Sequence, residues 1–165
     1  MFDPLFVWLE STAPRAWIVE SLSLFAFPGI LAAHTVGLGL LAGLTAALDL
    51  RLLGVAPRIP PVAFARLLPV MRFGLWLNVL TGLALVLAYP TKALTNPVFY
   101  AKLALIGAAL LILRATLRRM REGLALSGST KMLAAVSLVV WGAAIAAGRL
   151  LAYTCTRLTV DTLCE

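Results

Sequence analysis

The chain has 165 residues, of which 62% are hydrophobic and only 13% are charged, and its mean hydropathy is +0.99. This composition excludes a soluble globular domain, because so much apolar surface aggregates in water, whereas lipid tails accept it. A net charge of +7 would suggest nucleic-acid binding in a soluble protein. Here the basic residues lie beside hydrophobic segments, so we expect the charge to set membrane topology and expect no nucleic-acid partner.

Residues 1–24 precede the long hydrophobic runs and are predicted to form an amphipathic segment on the outer side of the membrane. Apolar residues recur there at helical spacing with charged residues between them: Phe2, Leu5, Phe6, Leu9, Trp17 and Ile18, beside Arg15 and Glu20. This pattern is typical of an interfacial amphipathic helix or a pair of such helices. An ordinary packed N-terminal helix explains the pattern equally well.

Four hydrophobic runs follow, each close to the roughly 20 residues that a transmembrane helix needs. They cover approximately residues 25–50, 67–89, 97–117 and 132–153. Asn96 and Pro97 are typical of the cap and first residue of the third helix, and the hydroxyls of residues 127–130 can cap the fourth. The sequence therefore predicts an all-α fold, an integral membrane four-helix bundle over residues 25–153, with a tail over residues 154–165.

The charges predict how the helices are oriented. The connections between the first and second and between the third and fourth runs, with the adjoining helix ends, carry nine basic and two acidic residues, whereas the rest of the chain carries five of each. The positive-inside rule places both connections in the cytoplasm and both termini outside. In a bacterium this means the inner membrane with periplasmic termini. Cys155 and Cys164 would then face an oxidising compartment, which favours a disulfide, with a metal-binding pair as the alternative.

Small residues recur at four-residue spacing in three of the runs, which lets helix backbones approach closely in lipid. The pairs are Gly39 with Gly43, Ala104 with Ala108, Gly142 with Ala146, and Ala144 with Gly148. Packing within the chain explains most of these pairs. Besides the lipid bilayer, the expected partner is a second copy of the chain or another subunit of a membrane complex.

Polar side chains also lie inside the runs, where they are costly and therefore tend to be functional. From a helical rise of about 1.5 Å per residue, His34 lies about 12 Å, Lys102 about 8 Å and Arg149 about 6 Å below the outer helix ends. Asn78 lies near the middle of the second run. For Lys102 and Arg149, snorkelling to the surface is the simple alternative. For His34, the alternative is an imidazole hydrogen-bonded to a helix carbonyl or to Asn78.

His34 is the only histidine in the chain, and neutral imidazole is the commonest metal ligand in proteins. Gly37 lies one turn away on the same helix face and would leave room for a flat macrocycle such as haem. We therefore predict His34 as a metal ligand, with Gly37, Asn78, Lys102 and Arg149 around the cofactor.

Asp49 lies near Arg51 and Arg72 and is predicted to form a structural ion pair with them at the inner interface. The sequence shows no second histidine, no paired carboxylates in the membrane and no glycine-rich phosphate loop. It therefore does not indicate a hydrolytic mechanism.

The order of several of these residues resembles that of a known family. After His34 in the first helix come Arg51-Leu52 at its inner end, Arg72 and Gly82 in the second helix, and Lys102-Leu103 at the start of the third. Over residues 25–120 this order is similar to that of the four-helix bacterial membrane superfamily of HemJ-type protoporphyrinogen oxidases and CopD-like copper-resistance proteins. The resemblance implies a haem b bound by His34 and Lys102, with oxidation of a tetrapyrrole as the activity.

Three functions follow from these observations. The leading hypothesis is a haem-b-binding membrane protein in electron transfer or tetrapyrrole oxidation, with His34 as axial ligand and Lys102 as second ligand or partner of a propionate. One alternative is a CopD-like copper-handling component with Cys155 and Cys164 at its entry. The other is a structural or anchoring subunit without a cofactor.

Overall fold

The computed structural model describes Trp8 and residues 11–153, and this part of the chain is helical without a β-strand. Four of its helices are long and apolar enough to cross a membrane. They are Phe27–Leu53, Pro61–Ala88, Pro97–Arg121 and Gly128–Leu151, called the first to fourth spans below. The predicted all-α fold with four candidate transmembrane helices is thereby confirmed.

The segment before the first span contains a short helix, Ala13–Glu20, which packs against the second span. Ile18 is buried and Trp17 is exposed, so this helix has a covered side and an uncovered side. The predicted helical face of Phe2, Leu5, Phe6 and Leu9 and the predicted Cys155–Cys164 disulfide lie outside the described residues.

The third and fourth helices are longer than their apolar runs. The third continues past Leu117 to Arg121, and the chain turns away at Gly123, which has a φ of 78°. The fourth begins at Gly128, ahead of Met132. Hydropathy detects only the apolar part of a helix, whereas the helix itself ends where the backbone can be capped.

The predicted helix caps are confirmed. Asn96 Oδ1 accepts a hydrogen bond from the Val98 amide at 2.9 Å, and Pro97 occupies the first turn. Ser127 Oγ accepts a hydrogen bond from the Thr130 amide at 3.3 Å. Each bond satisfies one of the amides that a helix N-terminus leaves without a partner.

A π-helical segment, Gly39–Gly43, divides the first span into two parts with different neighbours. Phe27–Leu38 packs mainly against the second span, whereas Leu44–Leu53 packs against the fourth span. Because each residue turns an α-helix by about 100°, the wider π turn shifts the face that the following residues present. The third and fourth spans form the other close pair.

The buried core lies toward one end of the spans, which we call the basic end because the loops 54–60 and 122–127 and the arginine-rich helix ends beside them lie there. In Phe27–Leu38 only Gly37 is buried, whereas Leu41, Ala42, Leu48 and Leu52 beyond it are all buried. They pack with residues from the other three spans: Met71, Ala109, Leu113, Ala134, Trp141 and Ala144. The spans are therefore most closely packed toward the basic end, and the opposite half, called the open end, is less tightly closed.

Two glycines allow the backbones of the first and second spans to touch. A Cβ atom on Gly37 would lie 3.0 Å from both the Gly74 carbonyl oxygen and the Asn78 amide nitrogen. A Cβ atom on Gly74 would lie 3.0 Å from the Gly37 carbonyl oxygen and 2.8 Å from Leu40 Cβ. These neighbours are mostly backbone atoms, which cannot move aside independently, so both positions require glycine.

Replacing Gly37 by alanine is expected to lower the free energy of unfolding by about 1–3 kcal/mol, because the added methyl group forces the two spans apart. The matched control is Gly107→Ala in the third span, where an added Cβ meets no atom within 4 Å. That control is expected to be neutral or stabilising, since alanine favours the helix by up to about 1 kcal/mol. Unfolding in detergent, followed by circular dichroism, measures both; equal losses would contradict the assigned contact.

Candidate functional site

The His34 imidazole is hydrogen-bonded to the second span through Thr81. His34 Nδ1 lies 3.0 Å from Thr81 Oγ1, and Thr81 donates its hydroxyl proton to the Leu77 carbonyl at 2.6 Å. A hydroxyl has only one proton to donate, so Thr81 Oγ1 accepts from Nδ1. The Nε2 atom then carries a lone pair, which is the form in which an imidazole binds a metal.

Asn78 holds the same part of the first span by its backbone. Its Nδ2 donates a hydrogen bond to the His34 carbonyl oxygen at 2.8 Å. The predicted proximity of His34 and Asn78 is therefore present: the Asn78 side chain bonds to the His34 backbone, and the Asn78 backbone also interacts with the imidazole that Thr81 contacts. Sequence reasoning missed Thr81, although it lies three residues after Asn78 and thus on the same face of the second span.

The role predicted for Gly37 is not the one that the structure gives it. The space beside Gly37 is filled by the backbone of Gly74 and Asn78, so it leaves no room for a macrocycle. Gly82 is the glycine that lies against the imidazole, because a Cβ atom there would be 3.4 Å from His34 Cε1. Sequence reasoning placed Gly82 in the second span but did not predict its contact with His34.

Lys102 reaches the same region from the other pair of spans. Its stem lies along Gly148, where a Cβ atom would be 3.5 Å from both Lys102 Cε and Nζ. Lys102 is close enough to His34 to interact with it electrostatically. Its ammonium group makes no hydrogen bond or ion pair with the residues described, so its donors can serve a ligand.

Arg149 is exposed on the fourth span and has no ion pair or hydrogen bond within residues 11–153. It follows Gly148, the residue against which Lys102 lies, but a helix turns by about 100° between neighbours. Arg149 therefore projects away from the Lys102 contact and is the most peripheral of the predicted site residues.

The predicted ion pair of Asp49 with Arg51 and Arg72 is wrong. Asp49 is buried and makes no salt bridge with a described residue, and Arg72 is exposed. The Arg51 guanidinium instead turns back to the following loop, donating from Nη2 to the Pro57 carbonyl at 2.9 Å and from Nε to the Ile59 carbonyl. Residues two apart on a helix do not face each other, so Asp49 and Arg51 point to different neighbours.

Among the residues that the structure describes, no three His, Cys, Asp or Glu side chains form a group that could hold a metal ion. The chain matches no known protein-family model, and no curated protein or solved structure matches it. The assignment of a function therefore depends on the geometry around His34.

Replacing Asn78 by leucine is expected to lower the free energy of unfolding by about 1 kcal/mol, because it removes one hydrogen bond between two spans. The control is Thr35→Val, since the Thr35 hydroxyl is exposed and bonds only to the Leu31 carbonyl of its own helix. Thermal unfolding in detergent should show a loss of about 2–4 °C for the Asn78 variant. A loss as large in the Thr35 variant would show that Asn78 does not join the spans.

Proposed function

We propose that this protein binds haem b through His34 and acts in electron transfer or tetrapyrrole oxidation. The observation that supports the proposal best is the orientation of the imidazole. Thr81 accepts a hydrogen bond from Nδ1–H, which leaves Nε2 as a ligand atom in a ring whose position is fixed. Metal-binding histidines are commonly held by such a hydrogen bond from the second ring nitrogen.

A single imidazole fits a haem better than it fits a bare metal ion. A porphyrin supplies four nitrogen ligands of its own, so the protein needs to provide only one or two axial ligands. Zinc and copper sites built by proteins alone use three or four side chains. When bound, a haem supplies one-electron redox chemistry between ferrous and ferric iron.

The residues of this chain would divide the work between the two pairs of spans. His34, oriented by Thr81, would be the ligand from the first pair, and Asn78 fixes its backbone. Lys102 on the third span would supply either a second ligand, as a neutral amine, or a positive charge for a propionate. Arg149, on the fourth span, provides a second positive charge at the same end of the molecule as Lys102.

We infer that the basic end faces the cytoplasm. The loops at 54–60 and 122–127, with the helix ends beside them, hold nine of the chain's basic residues and two acidic ones. Under the positive-inside rule this places the open end, with His34 and Lys102, toward the periplasm of a bacterial inner membrane, together with both termini. The exposed Trp17 of the N-terminal helix is suited to the membrane interface.

The arrangement as a four-helix bundle leaves smooth helix surfaces free for assembly. An added Cβ atom on Gly39, Gly43, Gly107 or Gly142 would meet no atom within 4 Å, so these glycines do not serve packing within the described chain. Gly39 and Gly43 form a GxxxG pair, a spacing that allows close helix association in lipid. These surfaces support a homo-oligomer or a place in a larger membrane complex.

The absorption spectrum of the purified protein tests the proposed function. The protein is expected to be red with a Soret band and to contain iron, and His34→Ala is expected to abolish both. The control is Val36→Ala, which changes an exposed residue of the same span and should retain the band. A colourless, iron-free wild-type preparation would contradict the proposal. Copper in place of iron would favour metal handling, and neither metal would favour an anchoring subunit.

A further inference from the structure

Four polar side chains are buried in the part of the molecule where the first, third and fourth spans pack. Asp49 from the first span, Thr116 from the third and Ser137 from the fourth are each 1% exposed, and Trp141 from the fourth is 3% exposed. Ser137 and Trp141 lie one turn apart on one face of their helix. The Asp49 carboxyl lies beside the Ser137 hydroxyl. Three of the four spans thus bring polar groups into the most closely packed part of the molecule.

The polar atoms of this cluster have few partners among the described residues. Asp49 Oδ2, Thr116 Oγ1, Ser137 Oγ and Trp141 Nε1 are all inaccessible and, apart from the interaction between Asp49 and Ser137, have no partner. Leaving a buried polar group unsatisfied costs about 1–3 kcal/mol, and more when the group is charged. By contrast, the nearby buried hydroxyls of Thr45 and Thr130 bond to the Leu41 and Leu124 carbonyls at 2.7 and 2.8 Å. Asp49 and Ser137 interact only with each other, and Thr116 and Trp141 have no partner at all, so several buried donors and acceptors point to something that they hold.

No basic side chain among the described residues forms an ion pair with Asp49. On its own helix, Arg51 bonds to the loop carbonyls of Pro57 and Ile59. On the neighbouring spans Arg118 pairs with Glu122, the half-exposed Arg119 bonds to Ser129, and the half-exposed Lys102 lies beside Gly148. The others that lie toward the basic end are exposed and make no ion pair with Asp49: Arg66, Arg72, Arg114, Arg121 and Lys131. A buried carboxylate without a counter-ion is unfavourable, so the group is more stable when it carries a proton.

The chemistry of the four groups favours water and a proton over a metal ion. Asp49 accepts hydrogen bonds when ionised and donates one when protonated, the two hydroxyls do both, and the Trp141 indole only donates. An indole N–H cannot ligate a cation, whereas water can accept from it while donating to a carboxylate. Buried waters typically make about three hydrogen bonds to groups that otherwise have no partner.

We propose that Asp49, Thr116, Ser137 and Trp141 hold internal water and form a proton-binding site inside the membrane, with Asp49 as the group that gains and loses the proton. Protonation forms an O–H bond on Oδ2 and releases a water molecule from hydronium; deprotonation reverses this. Asp49 lies one turn, about 6 Å, from the end of the first span at Leu53, so the proton exchanges with the basic end. The proposal does not depend on haem binding at His34.

Infrared difference spectroscopy of the full chain in lipid, recorded at high and low pH, tests this site. Protonation of Asp49 is expected to produce the carbonyl stretch of a carboxylic acid, which moves to lower frequency in D2O. Asp49→Asn is expected to remove this band. Glu122→Gln is the matched control, because Glu122 is exposed and pairs with Arg118 at 2.9 Å, and that variant should keep the band.

Three results would overturn the proposal. The first is a band that persists in Asp49→Asn, and the second is a band that disappears in Glu122→Gln. The third is a band that sodium chloride removes at constant pH when choline chloride does not, since this would identify a metal-ion site. If Asp49→Asn does not fold, Ser137→Ala replaces it; this variant is expected to shift the frequency of the band, and an unchanged frequency would also overturn the proposal.

Discussion

The close approach of the first and second spans at Gly37 and Gly74 determines where His34 lies. Because neither glycine has a side chain, the two backbones touch. This contact brings Asn78 within 2.8 Å of the His34 carbonyl and Thr81 within 3.0 Å of its imidazole. A wider separation would leave these polar groups without partners in a region where lipid offers none. The packing of two glycines therefore sets the tautomer of the histidine that we propose as a ligand.

Polar groups are divided between two levels of the membrane that differ in access. His34 and Lys102 are half-buried at the open end, where two pairs of spans supply one residue each. Asp49 is enclosed toward the basic end, where the first span has changed its neighbour from the second to the fourth. The π-helical segment Gly39–Gly43 lies between the two levels, and such segments are frequent at functional sites. Under the two proposals, a haem would bind at the first level, and only small species such as water and protons at the second.

The sequence predicted those features that depend on one helix at a time. Hydropathy identified the four spans, and Asn96 identified the start of the third. It did not predict features that depend on how two helices align. Gly37 was predicted to leave room for a macrocycle, whereas the space beside it is filled by a neighbouring helix. Thr81 acquires its role only when the second span is in register with His34. The error at Asp49 has a different cause, because the near sequence position of Arg51 was taken for proximity, although residues two apart point in different directions.

The protonation of the two His34 ring nitrogens can be measured directly by nitrogen NMR. The protein is labelled with ¹⁵N-histidine, produced without haem and placed in lipid. His34 is the only histidine, so the spectrum reports on a single ring. The proton is expected on Nδ1 with Nε2 unprotonated, and Thr81→Val is expected to shift the ring toward the tautomer protonated on Nε2. An Nε2–H ring in the wild type, or a tautomer that does not respond to Thr81→Val, would contradict the claim that Thr81 holds His34 as a ligand.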